Sequence, residues 1–237
     1  MSDWRLEQYP ELGSTSDEIV GRAKAGEAAG LAILALKQTA ARGSRGRAWT
    51  APVGNLNLSV LLRPSCPAAE AGLFSLMAGV AVIEALEGLG AKNLTLKWPN
   101  DILCETAKLA GILIDAAPEQ GRLNWLVIGI GVNLLTAPEI PGRLTTALAA
   151  QGIGTTPQIL AQAILARLAV WHQAPAEDVR QAWLARGPAM STILEIAYAD
   201  RRIQGCFAGL SAQGELLLQR ENQIEVLNTG EVLLAGQ

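Results

Sequence analysis

Histidine is nearly missing from this 237-residue chain, which has only His172. One imidazole excludes multi-histidine metal sites, and its place on a predicted amphipathic helix makes it a poor third of a Ser-His-Asp triad. Cysteine is scarce as well. Cys66, Cys104 and Cys206 are odd in number and far apart, so they form neither a disulfide framework nor a CxxC metal knuckle. Unbroken apolar runs of about 18 residues are lacking, and no membrane span is expected. The most hydrophobic stretch, 73–86, contains Glu84 and lies between Glu70 and Glu87, which suits a buried helix. Surplus positive charge is lacking too, for a net charge of -3 gives no average attraction to DNA or anionic lipid. Asp3, Glu7 and Glu11 stand where a signal peptide needs a basic, then apolar, start, so a cytoplasmic protein is expected. Catalysis then falls to Lys, Arg, Asp or the substrate's own groups.

What is present is ample apolar material. With 50% hydrophobic and 17% charged residues, the chain can bury a real core and is long for one ordinary domain. Residues 4–9 read as a strand. Thr15 and Glu18 have capping-box spacing, predicting a helix to about Ala25 that Gly26 and Gly30 end. A buried strand follows at 31–37. In 55–63, Leu56, Leu58, Val60 and Leu62 alternate with Asn57 and Ser59, the pattern of a half-buried strand, stopped by Pro64 and Pro67. A core helix is predicted over 68–89, strands over 94–98, 108–116 and 123–133, and helices over 157–172 and 177–186. Beyond Gly187-Pro188 the pattern changes to short strands at 193–198, 203–207, 215–219, 224–227 and 232–234, which suggests a small barrel. The expected organisation is α+β, with a larger unit over 1–186 and a small β-barrel over 187–237.

Against the acidic background, Arg42, Arg45 and Arg47 crowd one glycine-rich loop ending at Trp49. Gly43 and Gly46 let its amides turn toward a ligand, and guanidinium forks suit phosphate or carboxylate. By composition alone a solvated basic loop fits equally well. Lys97-Trp98-Pro99-Asn100-Asp101 presents a lysine, an amide and a carboxylate at one turn. Lys108 opens an apolar strand in which Gly111 permits close backbone approach, and strand alternation puts Lys108 on the face of Ala110. Gly129 and Gly131 leave space on one face of a strand ending in Asn133, an amide able to read a base edge or simply to form a turn. A Rossmann fingerprint would need glycine at Leu134, and no GxxxxGK[S/T] occurs.

In this order, Gly13-Ser14-Thr15, Gln38 with the basic loop, Gly54-Asn55-Leu56, Lys97 to Asp101, Lys108 to Leu113 and Gly129 to Asn133 resemble the biotin protein ligase family over nearly the whole chain. The resemblance implies a mixed-sheet catalytic domain of the class II synthetase-like biotin/lipoate ligase type with a C-terminal SH3-like barrel. It implies biotin, ATP and Mg²⁺, the metal carried mainly by ATP, and activation of biotin as biotinyl-AMP. Transfer to a lysine of a biotin carboxyl carrier protein would follow. The sequence leaves monomer or homodimer open. Carried over by position, Lys108, Arg45, Arg47 and Asp101 would be catalytic. Ser14, Thr15, Gln38, Arg42, Gly43, Gly111 and Gly129 would hold biotin. Arg42, Arg45, Arg47, Trp49, Lys97, Asn100, Lys108 and Asn133 would hold ATP and the adenylate. Asp101 would orient the incoming lysine or position Mg²⁺.

The chain departs from the family's Gly-Arg-Gly-Arg-x-Gly-Arg-x-Trp loop at Ala41 and Ser44, and Ser16 stands where many members have Asn. Losing the guanidinium at 44 costs about 1.5 to 3 kcal/mol of adenylate grip if that contact is charge-assisted. Either Arg45 takes its place or the intermediate escapes. The motif begins too early for an N-terminal winged helix, so no repressor role is expected. A lipoate or octanoate transferase of the same fold, and a biotin or nucleotide sensor without turnover, are the alternative readings.

Overall fold

The computed structural model describes residues 4–50, 52–198 and 201–233. Asp3 and Leu234, used above, lie outside the described residues. The larger sheet has the order β1 (Arg5–Tyr9), β2 (Leu31–Ala35), β3 (Leu56–Leu62), β7 (Arg122–Val132), β6 (Ala107–Glu119), β5 (Asp101–Cys104), β4 (Leu94–Lys97). Only β1 and β2 pair in parallel, joined through α1 (Thr15–Lys24); the other pairs are antiparallel. The mixed sheet of the expected α+β fold is therefore present.

Helices cover both faces. On one, Ile19 and Ala23 of α1 pack with Leu31, Ile33, Leu61 and Val127. On the other, α2 (Ala71–Gly88) and α3 (Pro157–Trp171) pack on Ala32, Leu34, Leu58 and Val60. Two-sided cover corrects one expectation: β3 is buried at every residue, Asn57 and Ser59 included, and is not half-exposed. Its polar residues face the site and not solvent. The segment Ala68–Gly88 is long and apolar enough in composition to cross a membrane, yet most of its apolar window is buried here, with Leu76, Val80 and Ile83 in the core.

Two local expectations change. Ser14, not Thr15, caps α1, its Oγ accepting from Asp17 N at 3.3 Å. That frees the Thr15 hydroxyl to turn inward. Asp101, expected to be part of a turn, opens strand β5 (Asp101–Cys104), which the sequence did not predict, so Lys97 and Asp101 become a cross-strand pair. Four residues beginning with Asp carry too short an alternation to announce a strand.

The second sheet has the order β11 (Gln223–Leu227), β10 (Leu216–Arg220), β9 (Arg201–Leu210), β8 (Ile193–Tyr198), β12 (Glu231–Leu233), all antiparallel. These are the five strands expected after Gly187, with β9 longer at both ends. Trp183 of α4 (Ala176–Leu184) lies against Phe207 of β9, ring centres 6.4 Å apart. Trp98 Nε1 donates to Gly214 O at 3.1 Å. These contacts seat the second sheet against the β4–β5 hairpin, and β12 is thereby brought to the edge of the site described next.

Candidate active site

A cavity of about 420 Å³ opens on the α1 side of the larger sheet, between the start of that helix and the basic loop. Eleven residues expected to bind ligand line it: Ser14, Thr15, Gln38, Arg42, Gly43, Arg47, Trp49, Asn100, Lys108, Gly111 and Gly129. Register explains how distant segments meet. Across the sheet, Asn57 stands opposite Gly131, Gly131 opposite Gly111, Gly111 opposite Asp101, and Asp101 opposite Lys97. One row thus runs from a neutral polar end over two glycines to a charged end.

At the neutral end Gln38 Oε1 accepts from Thr15 N at 2.7 Å, and Gln38 Nε2 donates to Asn57 Oδ1 at 3.0 Å. The Thr15 and Ser59 hydroxyl oxygens are 2.8 Å apart, and those of Ser16 and Ser59 3.1 Å. Ser59 was absent from the expected site, although its alternation in β3 marked it as the polar face. A buried chain of hydroxyls and amides with fixed partners can hydrogen-bond a neutral polar group without rearranging.

The glycine floor has no spare room. A Cβ on Gly129 would lie 2.5 Å from Ser16 Oγ, and one on Gly131 2.6 Å from the Trp49 indole. Lys108 shares the face of Gly111, contrary to simple alternation, with its Cε and Nζ 3.3 Å from a Gly111 Cβ position. The cause is a register slip: Ile102 pairs with Ala110, but Leu103 pairs with Lys108. This bulge reverses the parity and swings the lysine from the core into the cavity.

The basic loop is folded. Gly43 N donates to Arg47 O at 2.7 Å, Trp49 N donates to Ala41 O at 3.0 Å, and Arg45 and Gly46 take left-handed φ of 60° and 71°. Arg42 differs from expectation. Its guanidinium is spent on Asp17 at 2.7 Å and Asp115 at 2.8 Å, so it latches the loop to α1 and β6 instead of presenting a free cation. Ser44 Oγ accepts from Arg47 Nη2 at 3.2 Å, which gives this departure from the family loop a task in aiming Arg47. Trp49 covers Gly111 and Gly131, and Lys108 Nζ sits 5.3 Å from its ring centre.

At the charged end Lys108 Nζ is 2.5 Å from Asp101 Oδ1, Lys97 Nζ is 3.4 Å from Asp101 Oδ2, and Arg143 Nη1 is 3.9 Å from the same oxygen. Burial pushes Lys108 and Lys97 below the ordinary lysine range, opposed by the Asp101 charge. Burial alone would raise the Asp101 carboxyl, but Lys108, Lys97 and Arg143 outweigh it and hold it below its usual range. Glu231, from β12, pairs with Arg47 at 3.0 Å, with Arg45 at 3.8 Å and with Arg143. Arg45, Lys97 and Asp101 do not reach the main cavity; they line an adjoining one of about 110 Å³ that Asn100 also borders.

Two expected base-reading amides have their NH2 groups on backbone carbonyls, while the Asn133 Oδ1 is buried without a partner among the described residues. Asn133 is buried outside the main cavity lining, with its Nδ2 donating to Thr146 O at 3.1 Å, and Asn100 Nδ2 donates to Ile112 O at 2.6 Å. Both brace backbone. Arg143 and Glu231 escaped the sequence reading. Arg143 follows a Pro-Gly turn with no periodicity; Lys108 exchanges backbone bonds with Leu144 and Thr146, and that pairing places the arginine. Glu231 belongs to the other sheet, and nothing in its local sequence connects it to the loop.

Residues 20–133 match the Biotin/lipoate A/B protein ligase family, and residues 195–234 the Biotin protein ligase C terminal domain. A biotin--[acetyl-CoA-carboxylase] ligase of Paracoccus denitrificans is 33% identical over 219 residues, covering 86% of this chain and 90% of that protein. The chain belongs to the biotin protein ligase family. Solved biotin protein ligases agree in fold. The Aquifex aeolicus protein in complex with biotin and ATP has a TM-score of 0.79 and 26% identity, covering 98% of this chain and 99% of that one. The Leishmania major protein in complex with biotinyl-5-AMP has a TM-score of 0.67 and 27% identity, covering 97% and 98%.

Proposed function

We propose that this chain is an ATP-dependent biotin protein ligase. A biotin carboxylate oxygen attacks the α-phosphorus of ATP, the bond to the β-phosphate breaks, and pyrophosphate leaves. A carrier lysine Nζ, as free amine, then attacks the biotinyl carbonyl and AMP departs. The observation that carries this reading is the single cavity that joins a neutral hydroxyl and amide end to a cationic end across a glycine floor. A neutral bicyclic head with an acyl tail ending in carboxylate and phosphate has the same polarity along its length.

Thr15, Ser16, Gln38 and Ser59 are assigned to the biotin head, and Gly111 and Gly129 to the tail, which lies on backbone. Lys108 and Arg47 face the carboxylate and phosphates, where fixed cations stabilise charge developing on phosphoryl oxygens. Trp49 excludes water from the mixed anhydride. Arg42 positions the loop, Asp101 holds Lys108, and Asn100 and Asn133 shape the nucleotide side. Residues 1–186 are assigned to catalysis and 187–237 to the C-terminal barrel, which contributes Glu231. Mg²⁺ is implied by the nucleotide, but no group of three or more His, Cys, Asp or Glu that could hold a metal occurs among the described residues, and Asp101 is ringed by cations. Mg²⁺ is therefore assigned to the nucleotide and not to a cluster of these described residues.

The test is ATP–pyrophosphate exchange stimulated by biotin, with lipoate and octanoate as parallel arms, followed by weighing a biotin carrier domain after incubation with enzyme. Exchange with biotin alone and a biotinyl mass gain are expected. Exchange driven by lipoate or octanoate, or no mass gain, would overturn the assignment. Lys108→Ala is expected to slow exchange by roughly 10²–10³-fold, the scale of a lost electrostatic contact to a transition state.

A further inference from the structure

We infer that Arg143 is a polyanion-binding residue of this site, filling the role of the guanidinium missing at Ser44, and that the Glu231 carboxylate occupies the anion position until ligand arrives. The inference rests on the function proposed above. Three guanidiniums from two unconnected segments, Arg45 and Arg47 of the basic loop and Arg143 of the turn after β7, converge on this one carboxylate. Planar forks that hold a carboxylate hold phosphate oxygens equally well. Arg47, Arg143 and Glu231 all line the large cavity, so the ion cluster sits where ligand must come.

Charge and burial favour this over a purely structural knot. The cluster brings Lys97, Lys108, Arg45, Arg47 and Arg143 to only two carboxylates, Asp101 and Glu231. Arg45 and Arg47 are nearly half exposed, but Lys97, Lys108 and Arg143 are mostly buried, so three buried cations face two carboxylates, and a buried cation in excess is costly without an anion. The Arg143 side chain is only 15% exposed, so its guanidinium is already largely withdrawn from water and directed into the cavity. Burial pulls it below the ordinary arginine range, against the Asp101 charge. A polyphosphate brings more negative charge than Glu231 and can displace it, leaving the β12 carboxylate to move aside.

Titration calorimetry on the full chain tests this with inorganic pyrophosphate as probe and biotin in a separate arm. Glu231→Gln is expected to tighten pyrophosphate binding by roughly tenfold, the scale of one charge-assisted contact, and Arg143→Gln to weaken it similarly. Arg143→Lys should restore only part, because a lysine is a point charge without the fork. Biotin affinity should stay the same in all three. A gain of affinity in Glu231→Gln is a result that misfolding cannot produce. Unchanged or weaker pyrophosphate binding in Glu231→Gln, wild-type binding in Arg143→Gln, or no pyrophosphate binding by either wild type or Glu231→Gln would overturn the inference. Failure of the wild type to bind biotin would instead strike the proposed function.

Discussion

Gly111 stands directly opposite Gly131 in the β6–β7 register, and the Trp49 indole lies over both. A methyl group on Gly131 would lie 2.6 Å from the indole and cannot fit beneath it, whereas one on Gly111 would be tight at 3.1 Å. Gly131→Ala must push the indole outward, whereas Gly129→Ala must push Ser16 at the other end of the floor. The two substitutions should therefore separate kinetically. Gly129→Ala is expected to raise KM for biotin, and Gly131→Ala to lower kcat for pyrophosphate exchange by about tenfold or more, an order consistent with misplaced reacting groups. Equal effects of both on KM for biotin would contradict the division of the cavity.

Asp101 is the counter-ion for Lys97, Lys108 and Arg143 at once. Asp101→Asn leaves buried cations unpaired and should cost about 3–5 kcal/mol of stability in urea unfolding at neutral pH. The pH dependence has a defined sign. The lysine pKa values are already depressed by burial, and without Asp101 they fall further, so the variant's deficit should shrink as pH rises toward the ordinary lysine range. In the wild type the carboxyl is held low, so its contribution is present at neutral pH and is lost only as pH falls below the usual carboxylate range. A deficit that is flat with pH would exclude this coupling.

Arg42 ties the basic loop to Asp17 and Asp115 at partly exposed sites. Solvent screening limits the stability such pairs supply, so Arg42→Ala should cost no more than about 1 kcal/mol. Its effect should be local. Amide hydrogen exchange in residues 42–49 is expected to accelerate while the β3 and β7 amides stay protected. Protection of the loop unchanged by the substitution would show that the latch does not order it.

Ser44 raised the prospect of an adenylate that escapes. With Arg143 completing the set of guanidiniums, the wild type is expected to label the carrier lysine alone in a protein mixture. Arg143→Gln should release biotinyl-AMP and label bystander lysines, read by mass spectrometry of the mixture. Broad labelling by the wild type would mean that Arg143 does not substitute for the missing arginine.

Much of this protein was legible in one dimension because its signals are local. Apolar periodicity located the helices and nearly every strand, Gly187-Pro188 fell between α4 and the second sheet, and most cavity-lining residues lay in short motifs that turn at glycine or proline. A glycine in a strand marks close approach wherever the strand goes. Four matters were decided only in three dimensions. The β5–β6 bulge, which turned Lys108 from the core face to the cavity, depends on cross-strand register. The burial of Asn57 and Ser59 depends on α1 covering β3. Arg42 became a latch because Asp115, on β6, happens to reach it. Arg143 and Glu231 entered the site because charges attract through space without regard to sequence separation, and only the docking of β12 beside Lys97, whose Nζ donates to Val232 O at 3.0 Å, brings that pair within reach.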